Sequence, residues 1–131
     1  MKRVLIALTA CTIIGSCVSK KADKDFPAPV ATCDTTNVTY SGVVKKILVD
    51  NCATAAGCHT TADNNGGVAL DTYEKVAAAF SSSRVGYAKI MDDINQATGT
   101  TYNAMPKNAA KLSDCNISKI AAWYHKGFPN D

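Results

Sequence analysis

The chain has 131 residues, 14 of them basic and 11 acidic, for a formal net charge of +3. That length fits one small domain with a modest core. Lys2 and Arg3 belong to the leader described next; without them 12 basic residues face 11 acidic ones, a near-neutral balance that gives nucleic-acid binding no electrostatic support.

Met1-Lys2-Arg3 precedes an apolar run, Val4-Leu5-Ile6-Ala7-Leu8, that continues to Ile13-Ile14-Gly15-Ser16-Cys17. A basic start, an apolar stretch and small residues before a cleavage point describe a secretory signal over residues 1–16. The stretch is shorter than the roughly 20 residues that span a bilayer. Ile14-Gly15-Ser16-Cys17 resembles the lipobox of bacterial lipoproteins, which implies that Cys17 is lipidated and becomes the first mature residue. Leu8-Thr9-Ala10-Cys11 competes for that role, but cleavage there leaves too short an apolar region. A lipidated protein is anchored to a membrane without spanning it. The expected location is the cell envelope, on the periplasmic side or at the outer membrane, where disulfides persist. Val18 follows the cysteine in place of the Asp of inner-membrane retention.

Residues 17–31, with Pro27 and Pro29 among lysines and aspartates, read as a polar tether, and 32–131 as the domain. Ser41 predicts a helix cap, with Val43, Val44, Ile47 and Leu48 on one side of a helix running to about Asn51. Gly66-Gly67 breaks the chain. Asp71-Thr72-Tyr73-Glu74 looks like a capping box that opens a helix through Phe80. A further helix is predicted over Val85 to Asn95, with Tyr87, Ile90, Met91 and Ile94 together. Residues 96–112 are irregular. Ser113 opens the last helix, stapled by Leu112 and Ile117 and striped by Ile117, Ile120, Ala121 and Tyr124; Gly127 and Pro129 end it. No alternating strand pattern occurs, so the expected fold is all-α.

The chemistry concentrates in Cys52-Ala53-Thr54-Ala55-Ala56-Gly57-Cys58-His59. Two nearby cysteines with a histidine directly after the second are the mark of covalent haem c attachment. The thiols add to the two haem vinyl groups, and the imidazole binds the iron. Five residues separate these cysteines instead of the usual two. The vinyl positions fix the distance between the sulfurs and not the loop between them, and the small intervening residues can bulge outward. Met105, held by Pro106 in an irregular segment, is the candidate for the other axial position. Met91 lies on a predicted apolar helix face and is committed to the core. Cys33 and Cys115 then remain, and an exported domain rarely keeps two free thiols, so they are expected to form a disulfide. Trp123 and Tyr124 read as core and haem-wall packing. Tyr102, Tyr87 and Arg84 are placed either at haem propionates or in surface and packing roles. His125, near a helix C-terminus, reads as structural.

The span from Cys33 to Asn130 resembles the small c-type cytochrome lipoproteins of Bacteroidota-type bacteria. The resemblance rests on Asn51-Cys52-Ala53, Gly57-Cys58-His59, Gly66-Gly67-Val68-Ala69-Leu70-Asp71-Thr72-Tyr73, Met105-Pro106-Lys107 and Lys111-Leu112-Ser113-Asp114-Cys115-Asn116-Ile117. It implies a class I-like helical cytochrome fold, one haem c and electron transfer. Lys46 stands where that family has a proline in its first helix.

The leading expectation is a membrane-anchored one-electron carrier and not an enzyme, with Cys52 and Cys58 attaching the haem, His59 and Met105 on the iron, and redox proteins as partners. A haem sensor or enzyme with an opening sixth position is the second reading. A haem-free exported binding domain is the third, with Cys52 and Cys58 as a second disulfide or Cys52, Cys58, His59 and His125 around zinc.

Overall fold

The computed structural model describes residues 33–54, 56–96 and 103–131. The expected leader and tether, with Cys17, and Tyr102 lie outside the described residues. Among those described there are only helices, turns and loops, as an all-α chain requires, and no helix is long and apolar enough to cross a membrane.

The first helix begins earlier than Ser41. Thr39 has extended backbone angles and its hydroxyl accepts the Gly42 amide at 3.2 Å, so Thr39 is the cap. Its carbonyl accepts the amides of both Val43 and Val44, which widens the opening turn into a π-helical segment over Tyr40–Val44. A side chain at position 42 would place its Cβ 2.8 Å from the Thr39 hydroxyl, so Gly42 is required by close approach. The segment continues without a break into α1, Lys45–Asn51. Ser41 is exposed, and its amide donates to the Asp131 carbonyl at 2.9 Å.

Helix α2 spans Tyr73–Ser81, with Thr72 capping it by accepting the Lys75 amide. Helix α3 spans Gly86–Asn95 and α4 spans Asp114–His125. Ser113 caps α4 by accepting the Asn116 amide at 3.2 Å, and the Leu112–Ile117 staple is buried. The end of α4 is a Schellman motif: the Gly127 amide donates to the Tyr124 carbonyl and the Phe128 amide to the Trp123 carbonyl. Gly127 has φ +88°, the left-handed conformation the motif needs at this position.

Val44, Ile47 and Leu48 from the first helix, Val76 and Phe80 from α2, Ile90, Met91 and Ile94 from α3, and Ile117, Ile120 and Trp123 from α4 form one core. Trp123, not Tyr124, is the buried center of the last helix's stripe. Trp123 is fully enclosed and meets Tyr40 and Phe80 at ring-centroid distances of 5.6 Å. Its indole N–H donates to the Pro129 carbonyl at 2.9 Å. A disulfide joins Cys33 to Cys115, as expected for the two cysteines outside the haem-type motif. It fixes the start of the described domain to the first turn of α4.

Candidate functional site

A cleft of about 800 Å³ opens between the end of α1, the loop that follows it, and the segment leading into α4. Cys52, Cys58, His59 and Met105 all line it, so the fold gathers the four residues singled out in the sequence. Its volume lies in the range of cofactor sites. Pro106, Ala109, Ala110 and Leu112 give part of the wall an apolar character, and Lys107 and Lys111 add cationic groups.

Helix α1 delivers Cys52. The Cys52 amide donates to the Leu48 carbonyl at 2.8 Å, and the Cys52 carbonyl accepts the His59 amide at 3.0 Å. That second bond closes the long loop on itself, so both ends of the motif meet while Thr54, Ala56 and Gly57 stay exposed. Gly57 takes φ +84° at the turn. Thr54, Ala56 and Gly57 therefore bulge outward. Cys52 and Cys58 are free thiols, so the structure does not contain a second disulfide here. Burial, with a smaller contribution from the neighboring Cys58, pushes the Cys52 thiol up to about 11.

His59 is held from behind. Its Nδ1 lies 3.0 Å from the Val68 carbonyl. A carbonyl can only accept, so Nδ1 carries the proton, and in the neutral ring Nε2 is left with its lone pair for a ligand. The His59 carbonyl accepts the Leu70 amide at 2.7 Å. Two residues further on, the Thr61 amide and hydroxyl both donate to the Asp71 carboxylate at 2.6 Å. These bonds hold the Asp71 carboxyl below its ordinary value. The loop from His59 to Asp71 is thus closed at its neck. Asn65 braces it from the side, with its amide side chain donating to the Gly57 carbonyl at 2.6 Å.

Met105 is fixed to the end of α3. Its amide donates to the Asp93 carbonyl at 2.9 Å, and its carbonyl accepts from the Gln96 side chain. The peptide bond to Pro106 is cis. Met105 is half-buried at the cleft, whereas Met91 is fully enclosed in the core.

Several expected neighbors are elsewhere. Trp123 and Tyr124 do not line the cleft; they belong to the aromatic core, where Tyr124 stacks on Tyr87 with a centroid distance of 3.8 Å. Arg84 and Tyr87 also lie away from the cleft, because the turn between α2 and α3 faces the outer side of the 59–71 loop. His125 is exposed and within hydrogen-bond reach of the Tyr87 hydroxyl at 3.3 Å, so it cannot complete a zinc set with Cys52, Cys58 and His59. Among the described residues no group of three or more His, Cys, Asp or Glu is placed to hold a metal ion.

The bracing residues Val68, Asn65 and Asp71 were not visible as such in the sequence. The Gly66-Gly67 break signaled a turn, but not that the backbone after it would return to His59. The site offers two thiols, one imidazole nitrogen and one thioether, a donor set suited to covalent haem with a mixed nitrogen and sulfur iron ligation. Comparison with known proteins gives no match to a protein-family model, a curated protein or a solved structure.

Proposed function

We propose that this chain is an exported, lipid-anchored c-type cytochrome that carries one electron at a time between redox proteins, with its helices in a class I-like arrangement around one haem. The observation that carries the reading is the meeting of Cys52, Cys58, His59 and Met105 on one cleft of cofactor size. The donor chemistry fits the group. Cys52 and Cys58 would hold it through thioether bonds, with His59 Nε2 and the Met105 sulfur as axial ligands. The bound haem supplies a one-electron couple.

The protein's own contribution is orientation and exclusion of water. The Val68 carbonyl fixes the His59 tautomer and ring direction, as outer partners of metal-binding histidines do. A Met105 thioether on the iron would favor the ferrous state and raise the potential. Ala109, Ala110 and Leu112 present apolar surface to the cleft. Were His59 and Met105 both to hold the iron, they would leave no site for oxygen or peroxide, as a carrier and not an enzyme requires.

The test is the denatured intact mass of the full chain, exported from a host able to attach haem c, together with its pyridine haemochrome spectrum. Haem that survives denaturation, with both vinyl groups saturated, is the expected result. A spectrum with one vinyl left would assign a single thioether. A mass without haem would overturn the reading.

A further inference from the structure

Arg84 lies in the turn between α2 and α3, outside the cleft, yet it is two residues of backbone away from the bond that holds His59. Its Nη2 donates to the Gly66 carbonyl at 2.6 Å. The guanidinium also lies against Gly67, where an added Cβ would come within 2.5 Å of Nη2. The next residue is Val68, whose carbonyl lies 3.0 Å from His59 Nδ1. Arg84 is itself aimed by Ser82, whose hydroxyl oxygen accepts the Arg84 amide at 3.1 Å and the Val85 amide at 3.3 Å.

The need for such a clamp follows from the backbone it grips. Gly66 and Gly67 have φ +64° and +73°, and Asn64 before them has φ +44°. Glycine pairs have a wide choice of conformations and a correspondingly high ordering cost. The turn's own bonds, from the Gly67 amide to the Asn64 carbonyl and from the Val68 amide to the Asn65 carbonyl, hold its start, and the Leu70 amide bond to the His59 carbonyl holds the chain beyond Val68; between them the glycine torsions are the freest. The Arg84 grip on Gly66 and Gly67 removes that freedom from outside the loop.

We propose that Arg84 is a positioning residue for His59: by clamping Gly66 and Gly67 it keeps the Val68 carbonyl on the Nδ1 proton. Its relevance to an iron ligand rests on the function proposed above, but the hydrogen bond is a property of the chain, so the two stand or fall by different measurements.

The experiment follows the exchange of the His59 Nδ1 proton with solvent by NMR on the full, exported chain with nitrogen-labeled histidine, in the reduced state. Arg84→Ala is expected to speed this exchange at least tenfold. Arg84→Lys, which keeps one cationic donor, is expected to stay within threefold of the parent. Arg84→Met, which keeps the length of the stem but carries no donor, should resemble Arg84→Ala. The Trp123 indole proton, bonded to Pro129 in the distant core, reports on global opening and should not change. Unchanged exchange in Arg84→Ala, equal exchange in Arg84→Ala and Arg84→Lys, or a matching acceleration at Trp123 would each overturn the proposal. If Arg84→Ala does not fold, the same ratio measured in Arg84→Met decides. A chain found to lack haem would refute the cytochrome reading and leave this readout intact.

Discussion

Cys52 and Met105 differ from their nearest counterparts in ways that single substitutions and reagents can read. The Cys52 thiol is pushed up to about 11 by burial and by the adjacent Cys58, against an ordinary value of 9.0. Only the thiolate reacts with alkylating reagents, so native Cys52 should be alkylated at pH 8 at least roughly tenfold more slowly than the same residue in urea, with each pH unit amounting to about a factor of ten in thiolate. Peptide mass spectrometry of the haem-free full chain after timed iodoacetamide exposure measures this, and equal rates would refute the burial argument. The sign for stability follows from linkage. The folded value lies above the unfolded one, so the contribution of the protonated thiol is whole below pH 9.0 and is lost as pH rises toward about 11. The two methionines make the second contrast. Met91 is fully enclosed, and Met91→Ala should cost about 2–5 kcal/mol through the cavity it leaves. Met105 is half-buried at the cleft, and Met105→Ala in the haem-free chain should cost less than half as much. Urea unfolding of both variants separates a packing methionine from one presented to a site.

Helix ends and loop necks decide how well the site is held. Thr39 caps the first helix and Ser41 does not, so Thr39→Ala should cost about 1 kcal/mol, while Ser41→Ala should remain within about 0.5 kcal/mol of the parent. Thermal unfolding of the pair tests the assignment, and a larger loss at Ser41 would refute it. The sequence placed the first cap two residues late because the nearest Ser ahead of the apolar stripe was the natural choice. The contacts from Asp131 that fasten the earlier start are long-range: the Tyr40 amide donates to the Asp131 carboxylate at 2.7 Å. The start of α4 was legible because Ser113 caps locally; for α2 the Asp71–Glu74 box marked the place but not the cap, which is Thr72, because the Asp71 carboxylate is taken by Thr61. The site was legible in its chemistry and not in its support. Cysteines next to a histidine, and a methionine before a proline, stand out by residue type. Val68, Asn65, Asp71 and Arg84 act through one or two hydrogen bonds each across a loop, which leave no periodic trace. For the same reason Trp123 could be named as a packing residue, but its distance from the cleft could not.

At the scale of the molecule, one seam runs along α4 and is closed at both ends. Cys33 is bonded to Cys115 in the first turn of α4. At the far end the Lys126 ammonium donates to the Val38 carbonyl at 3.0 Å, and Asp131 accepts from the first turn of the opening helix. The tail between them is fastened too, since the Phe128 carbonyl accepts the Tyr73 hydroxyl at 3.1 Å and the Pro129 carbonyl accepts the Trp123 indole. The disulfide spans 82 residues of sequence, so its removal frees a large unfolded-state loop, and chain-entropy reasoning sets the loss at about 4 kcal/mol. That is a substantial part of the roughly 5–15 kcal/mol that holds a small domain folded. The double substitution Cys33→Ser, Cys115→Ser should therefore lower the urea midpoint strongly while keeping the helical circular dichroism at low denaturant, because the Ile117, Ile120 and Trp123 packing does not depend on the bridge. Hydrogen exchange should rise most over residues 33–38, which lose one of their two fastenings to α4. The His59 and Leu70 amides, closed by bonds within their own loop, should accelerate only as far as the global stability falls. Selective loss of protection at His59 and Leu70 would mean that the seam also supports the cleft, and that the site's rigidity is shared with the far side of α4 and not built locally by the 59–71 loop.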